Sequence, residues 1–536
     1  MNLLILVLIA LIAFAIALKT YGGYLAKLVG LDNDKKTPAH TMTDGVDYVP
    51  AKAPVLMGHH FASIAGGGPI LGPIQASVFG WIPCFLWIVL GSIFIGGVHD
   101  FMSLISSVRH KGKTVGEVIG VNVGKSAKTL FLIFVWLALV LVIAVFAILV
   151  AKTFAANPSV ATASILFLVI AVGMGFALYR KGVSLSLVTV IGVILLFVSI
   201  WIGLRAPFAL GAKTWIYLLL VYIFFASSLP VWTLLQPRDY LSSFLLYTAL
   251  GGAVIGILIG RPALQLATFT SFKQPVGYLF PMLFVIIACG AISGFHSLCA
   301  SGTTSKQLNK ESDAKVIGYG AMLLEGLLAV IALGTAAILT KAGLTDGLAN
   351  WGGPVGVFAH GMGNFLANLG IPEQTGIAFG ALTVSAFLLT TLDTATRLGR
   401  YALEELTAGW APALSNRYVA TIITVIFGGA LALSGTWSAI WPVFGASNQL
   451  LAGLALLGAT AWLAHMGKKY TVTLYPMIFM IVVTVVALIT MVFQNFAKGN
   501  YLLGVVSLVL LVLAGFVINE GMKAINKFKS MSAKAE

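Results

Sequence analysis

Long apolar runs separated by short polar gaps dominate the chain. Because a helix needs about 20 apolar residues to cross a bilayer, these runs predict about fifteen membrane spans. Their limits are near residues 2–18, 55–78, 81–107, 127–151, 162–178, 185–204, 213–235, 241–260, 277–300, 316–340, 375–396, 418–434, 437–465, 471–494 and 501–519. The pattern predicts an all-α polytopic membrane protein.

The run at 55–78 differs from the others because it contains several helix-breaking residues. It contains three consecutive glycines, Gly66–Gly68, with Pro69 and Pro73 close behind, and an uninterrupted helix does not readily hold them. Non-helical backbone at membrane depth is tolerated where it is packed in protein or lines a cavity. We therefore predict a broken helix, the feature with which many transporters bind their solutes.

Composition excludes a soluble protein. Of 536 residues, 59% are hydrophobic and 9% charged, with a mean hydropathy of +1.00. The net charge of +15 does not indicate a nucleic-acid partner, because Lys and Arg are distributed over the polar gaps between apolar runs and do not form one cluster. Cys84, Cys289 and Cys299 all lie in apolar runs, so neither a disulfide framework nor a cysteine-rich zinc site is expected.

The basic residues also predict orientation, since cytoplasmic loops are enriched in them. If alternate gaps are inside, starting with 19–54 and ending with 520–536, they hold 25 of the 32 basic residues. The first run lacks a basic start, so we predict a retained helix and not a cleaved signal peptide. We expect a multi-pass protein of the inner (plasma) membrane, with its N-terminus outside and its C-terminus cytoplasmic.

Five segments carry a family resemblance. The motifs HHFASIAGGGPILGPIQ, GWIPCFLWIVLGSIFIGGVHDF, LPVWTLLQPRDYLSSF, SGFHSLCASGTTSKQ and WPVFGASNQLLAGLAL follow one another between residues 59 and 456. Together they resemble the carbon starvation protein A (CstA) family of inner-membrane transporters. The resemblance implies uptake of small peptides or pyruvate, coupled to an ion gradient and associated with nutrient or carbon starvation.

The resemblance further implies a five-plus-five inverted-repeat core, like that of the APC and LeuT transporters. We predict one integral membrane domain, 1–536: a first helix and cytoplasmic loop at 1–54, the core at 55–396, and accessory helices with a cytoplasmic tail at 397–536. The break of the second half would lie at Ser227–Pro230, within the run 213–235. Interrupted helices in matching halves are a sequence indication of a substrate site at mid-membrane.

Helix physics indicates substrate-binding residues at these breaks. The N-terminus of a broken helix offers N–H groups and partial positive charge to a carboxylate. Gly66, Gly67 and Gly68 permit close backbone approach, although small residues also serve tight helix packing. The polar and aromatic side chains expected to bind substrate beside them are Ser63, Gln75, Ser228, Trp232 and His296.

Charges inside the bilayer cost about 3 kcal/mol each, so each requires a reason. Glu325 lies deepest in its span and is the leading proton-coupling candidate. Asp100 and Asp393 fall near the inner ends of theirs, where Arg109, Arg397 or Arg400 would be structural partners. Ser293 provides a hydroxyl for sodium, unless it bonds to its own helix. We favour the proton over sodium.

The remaining expectations concern cofactors and other function classes. His59, His60, His99 and His296 lack the tight spacing of a metal site, so no metal and no cofactor is expected. The expected partners are the small-molecule or peptide substrate, H⁺ or Na⁺ and the lipid bilayer, with no nucleic acid. A transporter-like nutrient sensor and a membrane-embedded enzyme stay as alternatives, although the chain lacks a catalytic constellation.

Overall fold

The computed structural model describes the backbone of residues 2–434 and 437–535 and the side chains of 2–434 and 440–528. Most of these residues lie in helices joined by loops, and two short strands, β1 (Lys273–Gln274) and β2 (Gly277–Tyr278), form an antiparallel hairpin. The first thirteen α-helices are α1 Leu3–Lys19, α2 Tyr21–Val29, α3 Pro38–Thr41, α4 Ala53–Ile64, α5 Gly68–Ala76, α6 Trp81–Gly91, α7 Gly97–Arg109, α8 Val115–Asn122, α9 Lys125–Ala156, α10 Pro158–Tyr179, α11 Leu185–Arg205, α12 Ala212–Ser228 and α13 Leu235–Gly260. The others are α14 Leu279–Ile286, α15 Gly294–Gly302, α16 Ala321–Ala337, α17 Lys341–Asn350, α18 Pro354–Ala367, α19 Glu373–Thr407, α20 Arg417–Leu433, α21 Trp437–His465, α22 Thr471–Ala497 and α23 Tyr501–Ala535.

In the part of the chain that the structure describes, 11 helices are long and apolar enough to cross a membrane. Two shorter apolar helices, α12 and α20, have 17 residues each. The predicted runs 55–78 and 277–300 each appear as a pair of helices with a gap between them. The protein is therefore a multi-pass membrane protein, and the count of fifteen spans stays a prediction.

Local sequence sets where several helices begin. The side chain of Asn2 accepts a hydrogen bond from the Leu4 N–H at 2.9 Å, and Asn416 does the same for Tyr418 at 3.0 Å. Side-chain caps of this kind satisfy N–H groups that the first helical turn leaves without partners. Pro158 stands at the start of α10, where a missing N–H costs nothing.

The centre of the bundle is formed by α9 and α19, which have 32 and 35 residues and pack along each other. Helices α12 and α20 pack against both. The hairpin of α10 and α11 lies against α13, while α22 and α23 pack on α21. Because α4, α5 and α15 lie within this shell, their surroundings are protein, as irregular backbone at membrane depth requires.

Helix α19 defines two faces of the bundle. Near its start, Ala381 lines a cavity together with Trp351. Near its end, Arg397 binds Asp47. At 1.5 Å per residue, these two points are about 24 Å apart. We call these ends the Trp351 face and the Asp47 face.

Two membrane helices contain a wide, π-helical turn, at Ser92–Gly96 between α6 and α7 and at Lys315–Gly320 before α16. The two turns touch, since the Tyr319 hydroxyl donates to the Ile93 carbonyl at 3.0 Å. Such turns are often found at functional sites.

Two predicted boundaries are wrong. The segment 236–240, assigned to a cytoplasmic loop, lies in the first turns of α13 with Arg238 and Asp239 buried. The run 277–300, read as continuous, is interrupted at 287–293. Hydropathy averages miss both features. A buried ion pair lowers the local hydropathy as a short polar loop does, and an apolar break keeps the hydropathy as high as that of a continuous helix.

Candidate functional site

The first broken helix forms as predicted. Helix α4 ends at Ile64, and Ala65 leaves the helical conformation with a ψ of 56°. Helix α5 begins at Gly68, with Pro69 in its first turn. Proline supplies no N–H and its ring clashes with the preceding turn, so a single helix cannot continue through this point.

The three glycines at this break are tightly packed. A Cβ atom on Gly66, Gly67 or Gly68 would come within 2.5 Å of a neighbouring side chain, in order those of Thr391, Leu388 and Cys289. Close helix packing therefore accounts for these glycines, as the alternative in the sequence analysis had it. Their predicted role in substrate binding stays a prediction.

A second break, residues 287–293, lies directly beside the first. A Cβ atom on Gly72 would be 2.5 Å from the carbonyl oxygen of Ile286, and one on Gly68 would be 2.4 Å from the Cys289 Sγ. Because Gly68 and Gly72 of α5 have no side chains, the two irregular segments can touch. Backbone groups of two helix breaks are thus collected in one buried region.

Side chains hold the free carbonyls of the second break. Trp87 donates from Nε1 to the Ile287 carbonyl at 3.1 Å, and Ser92 donates from Oγ to the Gly290 carbonyl at 3.1 Å. Buried backbone groups without partners are costly, so these contacts keep the break open inside the protein.

Asn448 of α21 caps the helix that follows. Its Oδ1 accepts from the Phe295 N–H at 2.8 Å, and its Nδ2 donates to the Ser293 Oγ at 2.9 Å. The hydroxyl of Ser293, a predicted sodium ligand, is therefore bonded to Asn448 and not to its own helix. Whether it also binds an ion stays a prediction.

Next to the second break lies a buried acidic cluster, the Glu325 network, formed by His99, Asp100, His296 and Glu325. The Asp100 carboxylate is bonded to His99 Nδ1 at 2.7 Å and to His296 Nδ1 at 3.0 Å. The other nitrogen of His296, Nε2, lies 3.3 Å from Glu325 Oε2. Three residues that the sequence analysis selected separately, Asp100, His296 and Glu325, thus come together.

Several polar atoms of the Glu325 network lack hydrogen-bond partners. Both carboxylate oxygens of Glu325 and the Nε2 atoms of His296 and His99 are buried without an aligned hydrogen bond. The 3.3 Å approach of Glu325 to His296 is an ion-pair distance but does not have hydrogen-bond geometry. Proton or water binding would supply the missing partners.

A second buried cluster, the Arg238 network, lies beside α4 and consists of His59, Tyr222, Arg238, Asp239 and Asp393. The Arg238 guanidinium donates to Asp239 at 2.6 Å, to the Tyr222 hydroxyl at 2.8 Å and to Asp393. The Tyr222 hydroxyl also donates to Asp393. His59 Nδ1 lies 2.8 Å from Asp239, so four helices are tied to one cation.

Ser63 belongs to the edge of this cluster. Its hydroxyl donates to Asp239 Oδ2 at 3.3 Å and accepts from Thr394 at 3.5 Å. This predicted substrate-binding residue is therefore hydrogen-bonded to the Arg238 network.

The arginines predicted to pair with Asp100 and Asp393 have other partners, so that expectation is wrong. Arg109 binds Glu311 at 2.7 Å. Arg397 donates to Asp47 Oδ1 at 2.9 Å and to the backbone carbonyl of Ala226 at 2.9 Å. These arginines reach loop and helix-end groups at the Asp47 face.

Asp47 is the centre of what we call the Asp47 clasp: Asp47 with Arg397, Arg400 and Tyr401. The Tyr401 hydroxyl donates to Asp47 at 2.6 Å, and Arg400 lies 3.7 Å away. Burial opposes ionisation of the Asp47 carboxyl, but Arg397 and Arg400, with Lys306 and the Tyr401 hydroxyl, lower its pKa to about 2. The clasp pins the loop before α4 to the end of α19.

Two predicted substrate residues lie at the link between α12 and α13 and away from the paired breaks. Ser228 ends α12 with its hydroxyl buried and without a hydrogen-bond partner. Trp232 faces the hairpin, with the Arg180 guanidinium 4.8 Å from its ring. The break predicted at Ser227–Pro230 exists as this link, but the segment beside the first break is 287–293.

Gln75 lies at the other end of the site. It lines a cavity of about 490 Å³ at the Trp351 face, together with Leu71, Lys152 and the turn around Trp351. We call it the Trp351 cavity. It brings α5, the second half of the first broken helix, into contact with open space.

The fold and this arrangement can be compared with known proteins. The sequence profile described as "Carbon starvation protein CstA" matches residues 2–346 and 342–487. The chain belongs to the CstA family. The "Peptide transporter CstA" of Bacillus subtilis (strain 168) is 34% identical over 578 residues, covering 97% of this chain and 96% of that protein.

Other relatives in the CstA family are named as transporters too. The "Peptide transporter CstA" of Escherichia coli (strain K12) is 34% identical and covers 91% of this chain and 81% of its own length. The "Pyruvate/proton symporter BtsT" of the same organism is 33% identical and covers 89% of this chain and 80% of its own length.

Several solved structures have a fold similar to that of this chain. A mutant of the Eremococcus coleocola manganese transporter superposes with a TM-score of 0.55 at 12% identity, covering 91% of this chain and 99% of that one. MhsT in complex with L-phenylalanine gives 0.51 at 13% identity, covering 87% and 99%. At such identities the likeness concerns the fold. The chain therefore shares the overall helical fold of these two proteins.

Sequence reasoning missed most of the Arg238 network. Arg238 and Asp239 were assigned to a loop, and His59 was considered only as a metal ligand, whereas Asp393 was identified. The signal was present in Pro237-Arg238-Asp239, two opposite charges inside an apolar stretch. Among the described residues no group of three or more His, Cys, Asp or Glu side chains is placed to hold a metal ion.

Proposed function

We propose that this protein is a secondary transporter that imports small peptides or pyruvate by coupling uptake to protons. The observation that carries the proposal is the position of the Glu325 network beside two adjoining helix breaks. Relatives named for peptide transport and for pyruvate/proton symport support the substrate class. We also propose the association with carbon or nutrient starvation that the family's name suggests.

The proposed architecture is the five-plus-five repeat. Each half begins with a broken helix, α4/α5 or α14/α15, followed by a helix with a π-helical turn and a long central helix of 32 or 35 residues. A 17-residue helix and one of 26 or 29 residues complete each half. On this basis we extend the core predicted at 55–396 to residues 53–465. The α10–α11 hairpin is then an insertion in its first half.

The mechanism follows from the two irregular segments. Exposed N–H groups and carbonyls at paired breaks replace the hydration of a substrate carboxylate and amine. Of the predicted residues, Gly66–Gly68 lie at the first break, while Ser293 and His296 lie at and directly after the second, which supports this proposal. The Trp351 cavity would give access from one side, and release would require the Asp47 clasp to open.

Glu325 and His296 are the proposed carriers of the coupled proton. An ionised carboxylate without donors or solvent is costly inside a membrane, and the Glu325 oxygens have no aligned donor. A proton shared between Glu325 and His296, 3.3 Å apart, removes that cost. Because His296 also reaches Asp100 and the second break, its protonation is coupled to the region where substrate would bind.

For orientation, we propose the inner membrane with the Asp47 face in the cytoplasm, on the basis of the 25 basic residues predicted on that side. A reporter that is active only in the cytoplasm should be active when it is fused after Glu536. A periplasmic C-terminus would reverse the assignment of both faces.

The decisive experiment is uptake by purified protein in proteoliposomes. Labelled pyruvate and labelled dialanine are offered under an inward proton gradient, an inward sodium gradient, or neither. We expect accumulation above the external concentration with the proton gradient. Accumulation driven by sodium alone would overturn proton coupling, and no uptake of either compound would overturn the substrate class.

A further inference from the structure

A hairpin between α13 and α14 exposes aromatic side chains that the proposed mechanism does not use. We call residues 267–280, which contain β1 and β2, the aromatic hairpin. Phe272 is 71% exposed and Tyr278 is 60% exposed, and Phe269 and Phe280 are exposed as well. The rings of Phe269 and Phe272 pack edge to face, with centroids 5.0 Å apart. Exposed apolar groups that lie together in this way mark an interaction surface.

The charges of this segment indicate what covers it. Between positions 261 and 280 the chain has two basic residues, Arg261 and Lys273, and no Asp or Glu. The Lys273 ammonium lies 5.5 Å from the centre of the Tyr278 ring, on the paired strand. Aromatic rings beside a cation are typical of the interface between a membrane and water, where rings lie among the headgroups.

The fold places the hairpin at that depth. The membrane span Leu235–Gly260 ends just before it, and the next-nearest span begins at Trp81. The Trp81 N–H donates to the Ala267 carbonyl at 3.2 Å, so the hairpin is bonded to the end of that span. Gln75, which lines the Trp351 cavity, precedes Trp81 by six residues. The hairpin therefore lies at the Trp351 face, at the level where membrane spans end.

Backbone hydrogen bonds tie the hairpin to the first broken helix. The Ile82 N–H donates to the Thr268 carbonyl at 3.0 Å, and the Thr270 N–H donates to the Phe79 carbonyl at 3.1 Å. Between them, Gly80 has a φ of 102°, and a Cβ atom there would lie 2.6 Å from the Thr268 oxygen. Glycine is required for both the backbone conformation and this close approach. The turn that follows α5 is thus fastened to the hairpin.

At its other end the hairpin continues into the second broken helix. Leu279 is the first residue of α14, and its N–H donates to the Phe272 carbonyl at 2.7 Å. Phe272 therefore presents its ring outwards while its backbone holds the start of α14. Because α5 and α14 each carry one side of the paired breaks, the hairpin joins both broken helices to one exposed aromatic surface.

From these contacts we propose that the aromatic hairpin is a membrane anchor, which binds the phospholipid headgroup layer at the Trp351 face and holds the adjoining ends of α5 and α14 at a fixed depth. The rings of Phe272 and Tyr278 lie among the headgroups, where their apolar bodies are removed from water. Lys273 pairs with lipid phosphate. The anchor does not depend on which substrate the protein transports.

The first test measures the depth of the hairpin in lipid nanodiscs. Phe272→Cys is labelled with a thiol-reactive fluorophore, which should spare the native cysteines because Cys84, Cys289 and Cys299 are buried. Lys35→Cys, at an exposed position of the loop after α2, is the matched control. We expect spin-labelled phospholipid to quench the label at position 272, and aqueous iodide to quench the label at position 35.

Tyr278→Cys, on the paired strand, should be quenched by the lipid in the same way as Phe272→Cys. Iodide quenching at both hairpin positions equal to that in Lys35→Cys would place the hairpin in water and overturn the anchor. A label shielded from both quenchers would show that a second copy of the chain or another protein covers the hairpin, which would also overturn the lipid assignment.

The second test asks whether the anchor holds the broken helices. Hydrogen exchange is measured in the same nanodiscs for the double variant Phe272→Ser with Tyr278→Ser. We expect faster exchange in the peptides that contain Ile82 and Leu279, because the N–H groups of both residues donate to hairpin carbonyls. Trp410→Ser, which removes an exposed ring after α19, should leave these peptides unchanged. Unaltered exchange in the double variant, or an equal rise in Trp410→Ser, would overturn the anchor.

Discussion

The Arg238 network and the Glu325 network are both buried, charged and adjacent to a broken helix, yet they are built differently. In the first, one guanidinium satisfies Asp239, Asp393 and the Tyr222 hydroxyl. In the second, Glu325 has two oxygens without an aligned donor. Both carboxylates of the Arg238 network are paired with the guanidinium, although Asp393 Oδ1 lacks a hydrogen bond. In the Glu325 network, neither oxygen of Glu325 has an aligned donor, which leaves room for a proton.

This difference distinguishes a structural role for one network from a proton-coupling role for the other. A buried charge pair is strongly destabilising only when one partner is removed, because the other charge is then left without compensation. A carboxylate that already lacks donors loses little when it becomes neutral. The comparison predicts that the Arg238 network holds helices together and that the Glu325 network changes its protonation during transport.

The largest effect is expected for Arg238→Gln. It leaves two buried carboxylates without their cation, which should cost about 3–5 kcal/mol of stability and lower the midpoint of thermal unfolding in detergent. Lys181→Gln, at an exposed cation of the neighbouring hairpin, should change stability by about 0.5 kcal/mol or less. Adding Asp393→Asn to Arg238→Gln should recover part of the loss. Unfolding at the unaltered temperature would show that the network is not a structural tie.

Glu325→Gln should give the opposite result. Because the neutral amide replaces a carboxylate without donors, stability should change by less than about 1 kcal/mol, while proton-driven accumulation is lost. Exchange of labelled for unlabelled substrate across the membrane, which needs no net proton movement, should persist. Glu520→Gln in α23, where Glu520 binds Lys523 near the chain end, serves as the control. Accumulation in Glu325→Gln equal to that of the unaltered protein would move coupling to Asp100 or Asp393.

The contrast between these networks also marks what the sequence could predict. The first break could be predicted from the sequence because Gly66–Gly68 and Pro69 act on their own backbone. The depth of Glu325 could be predicted because it follows from counting residues along one helix. Both signals are local. The membrane class follows in the same way from the length of each apolar run.

The rest depends on contacts between distant parts of the chain. His59 meets Asp239 across 180 positions, and Arg397 meets Asp47 across 350. No local pattern encodes such pairings. The second break at 287–293 lacks proline and is mostly apolar, so its irregular backbone depends on Asn448 and other partners that the sequence does not place beside it.

The Asp47 clasp is more exposed than either network, with the Asp47 side chain 16% exposed, and should have an intermediate effect on stability. The pKa of Asp47 is lowered from 3.8 to about 2, so its ionised form stabilises the folded protein by about 2 kcal/mol above pH 4. That contribution is lost as the pH falls towards 2. Asp47→Asn should therefore lower the unfolding midpoint at pH 7 and behave more like the unaltered protein at pH 2. Asp34→Asn, at an exposed position of the same loop, should have no such effect, and a constant difference between Asp47→Asn and the unaltered protein at all pH values would contradict the clasp.

An effect on stability somewhat smaller than that of the clasp is expected at Gly67, where packing and substrate binding compete as explanations. A Cβ atom there would lie 2.5 Å from Leu388 Cδ2, so Gly67→Ala should cost about 1–2 kcal/mol through overpacking. Shortening the neighbour relieves this clash, and the double variant Gly67→Ala with Leu388→Ala should be more stable than the sum of the single changes predicts, by about 1 kcal/mol. Uptake distinguishes the roles once stability is accounted for. If the backbone at Gly67 binds the substrate carboxylate, the double variant should still have a higher KM than Leu388→Ala alone, because the added methyl group blocks close approach. An unchanged KM relative to Leu388→Ala would assign this glycine to helix packing.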